Sequence, residues 1–155
     1  MIDFMFGNEY EVINHPDNMP TTAFVILESK NGYMLLYNKF HHLWEITGGY
    51  IEPGESPMDC AIRECKEESN QNITGLTFVG VAKYPKMNAA VYYSFLSDIA
   101  LFIENIEMSA LRWWQPNESL AEMDPESMKL IELYIATTAL HTHTIPHKPD
   151  GISLG

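Results

Sequence analysis

The chain has 155 residues, of which 46% are apolar and 12% aromatic, as is typical of a globular domain that folds without a disulfide or a metal ion. Its 21 acidic and 9 basic residues give a formal net charge of −12. That charge is unsuited to binding duplex nucleic acid or an anionic membrane, because both require Lys and Arg clustered on one face.

The two cysteines, Cys60 and Cys65, have a spacing that matches neither a disulfide framework nor a paired zinc-ligand motif, so we expect reduced, packed thiols. Residues 1–10 contain no basic stretch followed by an apolar run, and no run of about 18 apolar residues occurs in the sequence. These features predict a soluble, cytoplasmic protein.

Short runs of apolar, β-branched and aromatic residues fill the first two thirds of the chain and are bounded by turn residues. They predict strands at residues 22–28, 33–38, 43–47, 76–83, 90–96 and 99–103. The pair Asn31-Gly32 lies between the first two runs, where its tolerance of positive φ favours a tight hairpin.

One helix is predicted to interrupt the strands, between Ser56 and Asn70. Ser56 is a suitable N-cap, Pro57 suits the first helical position, and Asn70 tolerates the left-handed conformation that ends many helices. The apolar residues that would face the core recur at helical spacing: Met58, Ala61, Ile62 and Cys65.

A second helix is predicted over residues 125–140, with Asp124 near its start. Its expected buried positions are Met128, Ile131, Leu133, Ile135 and Leu140. Residues 141–155 contain two prolines and two glycines without periodicity, which predicts an extended C-terminal tail. Residues 1–140 would then form a single domain.

One segment in the middle of the chain combines a glycine pair with clustered carboxylates. Gly48 and Gly49 lie in a predicted loop, and Glu64, Glu67 and Glu68 follow on the predicted helix, three and four residues apart. This spacing places the three carboxylates on one face, away from the apolar face. Such crowding raises carboxylate pKa values unless a cation binds between them, and Mg²⁺ and Mn²⁺ prefer oxygen ligands. We therefore predict a divalent-cation site beside the glycines, where the backbone can approach closely.

This segment resembles the signature of the MutT-like Nudix hydrolases, which reads G-x5-E-x7-R-E-U-x-E-E-x-G-U, where U is a bulky apolar residue. Directly before the glycines, Thr47 stands where many relatives have proline. The match runs from Gly49 to Gln71, and six defined residues agree in identity and spacing: Gly49, Glu55, Arg63, Glu64, Glu67 and Glu68.

The resemblance implies an α/β fold, a Nudix-type α/β/α sandwich with a mixed sheet. It also implies a hydrolase that uses Mg²⁺ or Mn²⁺ to cleave a diphosphate linkage in a small nucleoside diphosphate derivative. By this resemblance the metal ligands are Glu64, Glu67 and Glu68, with the main-chain carbonyl of Gly48 as a further ligand. Glu64 would also activate or orient the attacking water.

Other residues of the box are structural by the same resemblance. Glu55 and Arg63 would form a buried pair that fixes the loop, which contains Gly49, against the helix. Two positions depart from the signature, since Asn70 replaces the usual glycine and Gln71 the usual apolar residue. We expect these departures to alter the loop without removing activity.

The resemblance leaves the substrate open. We favour a nucleoside triphosphate, including an oxidised one, and the alternative is ADP-ribose or a nucleotide sugar. A non-catalytic nucleotide-sensing Nudix module is a rival interpretation, although a pure binder has no need for three crowded carboxylates. A Nudix-type isopentenyl diphosphate isomerase is another rival, but its additional Cys and Glu motifs are not found in this sequence.

Several residues outside the box have competing interpretations. His41 and His42 precede a predicted strand and either contact the nucleotide or lie in a solvated loop, which is the favoured interpretation. Trp113, Trp114 and Tyr92 either stack on a base or, as is more common at strand spacing, pack in the core.

Acidic and histidine residues near the C-terminus add further candidates. Glu104 or Glu107 is a candidate for a distal metal ligand. His141, His143 and His147 are candidates for metal chelation, although a surface position is favoured. A homodimer also stays open, because dimers are common among proteins of this kind.

Overall fold

The computed structural model of the chain describes residues 1–143. The strands in this part of the chain form one sheet: β1 (Asp3–Met5), β2 (Thr22–Ser29), β3 (Gly32–Asn38), β4 (Leu43–Glu45), β5 (Thr47–Tyr50), β6 (Thr77–Lys83), β7 (Asn88–Phe95) and β8 (Met108–Trp114). The helices are α1 (Glu9–Ile13), α2 (Pro57–Ser69) and α3 (Pro125–His143), with a single 3-10 turn at Pro16–Asn18.

The sheet divides at its central strand, β2. Along one edge, β2 pairs in parallel with β7. Along the other edge, the first half of β2 pairs antiparallel with β5 and its end pairs antiparallel with β3. Because β3 and β5 occupy opposite ends of the same edge, the sheet opens between them, and β4 extends the β3 branch. This division leaves residues 26 and 27 of β2 without a strand partner on that edge.

Successive residues of β2 point to opposite faces of the sheet, and residues on both faces are buried. On one face, strand residues pack against α2: Ala23, Val25 and Leu27 with Ala61 and Cys65. On the other face, they pack against α3: Ile26 with Leu130 and Ile131. The sheet therefore lies between two helices, which confirms the predicted α/β/α sandwich with a mixed sheet.

The hairpin and the first predicted helix are confirmed in detail. Two residues join β2 to β3, and Gly32 rather than Asn31 takes the positive φ, of 120°. In α2, the side chain of Ser56 accepts a hydrogen bond from the N–H of Asp59, and Asn70 ends the helix with a φ of 62°.

The predicted strand at residues 99–103 is wrong. This segment has no regular structure, and three of its apolar side chains face solvent: Ile99, Leu101 and Ile103. Its backbone groups bond to side-chain amides instead of a neighbouring strand, because Gln71 bonds both the N–H and the carbonyl of Ala100. Apolar composition alone does not reveal whether a partner strand exists.

The predicted strand at residues 43–47 is in fact two strands, separated at Ile46. The second of them, β5, contains Gly48 and Gly49, which were expected in a loop. They pair with Phe24 and Ala23 of β2. The short elements β1 and α1 were not predicted, because three and five residues are too few to show a period.

The C-terminal helix is longer than expected. Helix α3 continues to His143, so residues 141–143 are not part of an extended tail. Leu140, a predicted core residue, has 69% of its surface exposed, whereas Leu130 and Ile131 are buried. The rest of the predicted tail, residues 144–155 with His147, lies outside the described residues, as do the side chains of His141 and His143.

Candidate active site

A cavity of about 620 Å³ lies where the sheet divides. It is lined by β2, β4, β5, α2 and the start of α3, and His41 is the basic residue among its lining. Apolar side chains include Phe24, Leu43, Ile46, Met87 and Leu130. Its acidic residues come from widely separated parts of the sequence: Glu45, Glu52, Glu64, Glu68, Glu107, Asp124 and Glu126.

The glycine pair of β5 forms one wall of this cavity. A Cβ atom at Gly49 would overlap with the carboxylate of Glu64, and one at Gly48 would overlap with the ring of Phe24. The N–H of Gly48 donates to Glu68 at 2.9 Å rather than to β2. Because the N–H and C=O of one strand residue point to the same side, the carbonyl of Gly48 also points away from β2. Because these two glycines have no side chains, the backbone of β5 can lie close to the carboxylates of Glu64 and Glu68.

The predicted Glu55–Arg63 contact is present. Arg63 donates from Nε to one carboxylate oxygen of Glu55 at 2.7 Å and from Nη2 to the other at 2.9 Å. These hydrogen bonds lower the pKa of Glu55 to about 2. Nη2 also bonds the carbonyl of Tyr50 at 3.1 Å, so Arg63 joins the loop, the end of β5 and helix α2.

Glu64 and Glu68 face the cavity from successive turns of α2. The pKa of Glu68 is raised to about 8, mainly by burial and also by the nearby carboxylates of Glu107 and Glu64, which together outweigh the lowering effect of the hydrogen bonds from Thr47 and Gly48. Burial is also the main cause of the raised pKa of Glu64, to which Glu67 and Glu107 contribute. These carboxylates therefore lie close enough to repel one another, as the sequence predicted.

Glu67 departs from the predicted arrangement. Its side chain is 60% exposed, does not line the cavity, and accepts a hydrogen bond from Nη1 of Arg63 at 3.3 Å. Glu68, by contrast, is only 4% exposed. The three glutamates follow one side of the helix, but the expectation that this side lies away from the packed face is wrong, because Glu68 is buried. Two of them point to β5 and the cavity, and Glu67 points to solvent.

The structure separates the two candidates for a distal acidic residue. Glu107 lines the cavity and raises the pKa values of both Glu64 and Glu68. Glu104 instead forms a surface ion pair with Lys39 at 3.0 Å. Asn105 lies between them. Its amide donates to the carbonyl of Glu68 at 2.9 Å and accepts from the N–H of Glu107, so it ties the loop to the end of α2.

The two residues that depart from the box signature contact the loop that contains Glu104 and Glu107. Gln71 is completely buried and forms two 2.8 Å hydrogen bonds with Ala100, and Asn70 donates to the carbonyl of Leu101. Ile73 is 5% exposed within the α2-side core, so it provides the apolar anchor missing at position 71. Side-chain amides at the two departing positions therefore hold residues 100 and 101 against the end of α2.

His41 and His42 have different surroundings. His41 lines the cavity and its Nδ1 contacts Glu45, which raises the pKa of the imidazole. His42 does not line the cavity and has a φ of 56°. The buried Asn38 donates to both Glu45 and Glu107 at 3.3 Å, although nothing in its local sequence marks it as part of a site.

The aromatic and cysteine candidates belong to the core. Trp114 is 2% exposed and Tyr92 is fully buried, and neither lines the cavity. Trp113 is half-buried on the opposite side of β8 and packs against the α2-side core. Cys60 and Cys65 are free and buried, and burial raises their pKa values to about 12 and about 11. The structural interpretation of these residues is confirmed.

Comparison with known proteins identifies the family. A family model described as the NUDIX domain matches residues 18–134. The chain belongs to the Nudix family. It is 29% identical over 112 residues to a Bacillus subtilis (strain 168) protein named "Putative 8-oxo-dGTP diphosphatase", covering 70% of this chain and 75% of that protein. It is 28% identical over 100 residues to the CTP pyrophosphohydrolase of Escherichia coli (strain K12), covering 63% and 74%.

Solved structures support the same fold. A variant of the Bacillus subtilis pyrophosphohydrolase BsRppH superposes with a TM-score of 0.67 at 18% identity, covering 92% of this chain and 91% of that chain. Within residues 1–143 of the present chain, no helix is long and apolar enough to span a membrane.

The residues of the cavity fit a hard divalent cation. Within residues 1–143 no three His, Cys, Asp or Glu side chains converge as an assembled metal site. The donors are nevertheless carboxylate oxygens, which Mg²⁺ and Mn²⁺ prefer, and Glu64, Glu68 and Glu107 line one cavity. A cation among them would offset the mutual repulsion that contributes to the raised pKa values.

Proposed function

We propose that this Nudix chain is a Mg²⁺- or Mn²⁺-dependent pyrophosphohydrolase that converts a nucleoside triphosphate, including an oxidised one, to a nucleoside monophosphate and pyrophosphate. The observation that carries the proposal is the presence of Glu64, Glu68 and Glu107 in one cavity beside Gly48 and Gly49. The cavity volume of about 620 Å³ lies in the range of small-molecule sites. The names of two relatives, an 8-oxo-dGTP diphosphatase and a CTP pyrophosphohydrolase, support a triphosphate, whereas two others are named as NAD-capped RNA hydrolases.

The proposed cation ligands are Glu64, Glu67, Glu68 and the carbonyl of Gly48, with Glu107 as a distal carboxylate. When bound, the cation would lower the pKa of water, neutralise charge on the phosphate and align the nucleophile with it. Glu67 can take part only if its side chain, which is 60% exposed and accepts a hydrogen bond from Arg63, turns towards the cavity.

Glu64 is the proposed residue for activating water. Its Oε1 accepts from Nη1 of Arg63 at 2.8 Å, so Oε2 is the atom available to orient water or accept its proton. Burial raises the pKa of Glu64, which makes its carboxylate a stronger base nearer to neutral pH. A proton of the water passes to Glu64 as the water oxygen bonds to one phosphorus of the α,β-diphosphate linkage. The bridging P–O bond breaks, and the leaving group, either the nucleoside monophosphate or pyrophosphate, keeps the electron pair.

Product analysis tests this function. The purified chain is incubated with nucleoside triphosphates, oxidised triphosphates, ADP-ribose, nucleotide sugars, dinucleoside polyphosphates and coenzyme A, each with Mg²⁺, with Mn²⁺ and with a chelator. We expect cation-dependent release of a nucleoside monophosphate and pyrophosphate from a triphosphate. Cleavage of ADP-ribose or a nucleotide sugar alone would replace the proposed substrate class, and tight binding without turnover across the panel would instead indicate a nucleotide-sensing module.

A further inference from the structure

Thr47 is a completely buried residue that contacts one of the proposed cation ligands directly. Its hydroxyl donates to Oε1 of Glu68 at 2.7 Å. The N–H of Gly48 donates to the same oxygen at 2.9 Å. Two adjacent residues of β5 therefore hold one oxygen of this carboxylate from the side of the sheet.

The second oxygen of Glu68 is left for the cavity. Oε2 has no hydrogen-bond partner among residues 1–143. Every fully buried side-chain polar atom in that range does have a partner. Oε2 must therefore be accessible, and Glu68 lines the cavity. The carboxylate is thus fixed by one oxygen and free at the other.

We infer that Thr47 is a positioning residue for the cation site, because its hydroxyl fixes Glu68 so that Oε2 is presented to a divalent cation. This inference rests on the proposed function. A carboxylate held by two donors has lost most of its rotational freedom before the cation arrives, so less ordering is needed on binding. Groups that orient a metal ligand in this way typically change metal affinity about 10- to 100-fold when removed.

The residue type at position 47 determines whether this hydrogen bond to Glu68 can form. A proline at 47 would have no side-chain hydroxyl to donate, and a valine would keep the volume and the branched shape of threonine without the donor. Antiparallel pairing with Val25 fixes the backbone of Thr47, so the side chain has a defined direction towards α2. The contact is therefore set by the side chain that occupies this position in β5.

The test measures Mn²⁺ affinity without substrate, by electron paramagnetic resonance of free Mn²⁺, for the wild type, Thr47→Val and Thr47→Ser. We expect about a 10-fold weaker affinity for Thr47→Val and affinity within about twofold of the wild type for Thr47→Ser. In turnover assays, a higher Mg²⁺ concentration should restore most of the rate of Thr47→Val. Thr47→Ala replaces Thr47→Val if the valine variant fails to fold.

Ser94→Ala is the matched control. Ser94 is 4% exposed and its hydroxyl donates to the carbonyl of Gly75 at 2.6 Å, so the variant also loses a buried hydroxyl hydrogen bond, but outside the cavity. It should lower the melting temperature without changing Mn²⁺ affinity. Unchanged affinity in Thr47→Val, or equal loss in Thr47→Ser, overturns the role of Thr47 and leaves the proposed function intact. A wild type that binds no Mn²⁺ overturns the proposed function itself.

Discussion

The guanidinium of Arg63 holds both carboxylate oxygens of Glu55 and, through Nη1, lies 2.8 Å from Oε1 of Glu64. A residue expected to have a purely structural role therefore also contacts a proposed cation ligand. The position of Glu64 at the cavity depends on the same guanidinium that fixes the loop before α2. Changes at Arg63 should consequently affect stability and activity together.

Arg63→Ala tests this double role. It would leave Glu55 and Glu64 without their shared partner, and we expect the melting temperature to fall by more than about 4 °C and turnover to fall at least tenfold. Arg112→Ala is the control, because Arg112 forms one exposed ion pair with Glu118 at 3.3 Å and such pairs contribute roughly 0.2–1 kcal/mol. Differential scanning calorimetry that gives the same melting temperature for Arg63→Ala and the wild type would contradict the structural role.

Glu64→Gln tests the proposed role of Glu64 in activating water. The substitution keeps the volume but removes a base and a charged ligand, so we expect turnover to fall by about 10²- to 10⁴-fold. Circular dichroism should show an unchanged fold, which separates loss of chemistry from loss of structure. Turnover equal to that of the wild type would require another residue to perform this role.

Glu107→Gln and Glu104→Gln form a matched pair, since each removes one negative charge from the same loop. Glu107 lines the cavity, whereas Glu104 is bonded to Lys39 at the surface. We expect Glu107→Gln to weaken Mn²⁺ binding and turnover about tenfold or more, and Glu104→Gln to change each less than twofold. Equal effects of the two variants, measured by Mn²⁺ titration and initial rates, would show that only overall charge matters.

The raised pKa of Glu68 predicts how stability depends on pH without a divalent cation. The folded chain keeps the Glu68 proton up to a pKa of about 8, whereas the unfolded chain loses it near 4.5, so the folded state binds more protons between these values. The free energy of unfolding therefore decreases as pH rises through this window, by at most about 5 kcal/mol at about 1.4 kcal/mol per pKa unit.

Thermal unfolding in chelator at pH 5 and pH 8.5 measures this effect. The melting temperature of the wild type should fall more between the two pH values than that of Glu68→Gln, which has no proton to lose. Added Mg²⁺ should raise the melting temperature more at pH 8.5 than at pH 5, because the cation competes with the proton for Glu68. Parallel pH profiles for the two proteins would mean that Glu68 titrates normally in the folded state.

The sequence by itself determined the elements whose signals are local. The cap at Ser56, the left-handed end at Asn70 and the two-residue hairpin each depend on a few adjacent residues, and the structure shows all three. The resemblance of the box to the Nudix signature likewise implied the contact between Glu55 and Arg63, and the structure shows it.

Only the tertiary structure decided which acidic residues share the cavity. Glu107 lies 39 residues after Glu68 and reaches it because Gln71 and Asn105 hold an irregular loop against α2. Side-chain amides form these contacts, so a periodic pattern of apolar residues in the sequence does not predict them. In the same way, Glu68 is buried and Glu67 is exposed because β5 lies beside α2. Helical spacing gives the angle between these side chains, but it does not show on which side of the helix a strand will pack.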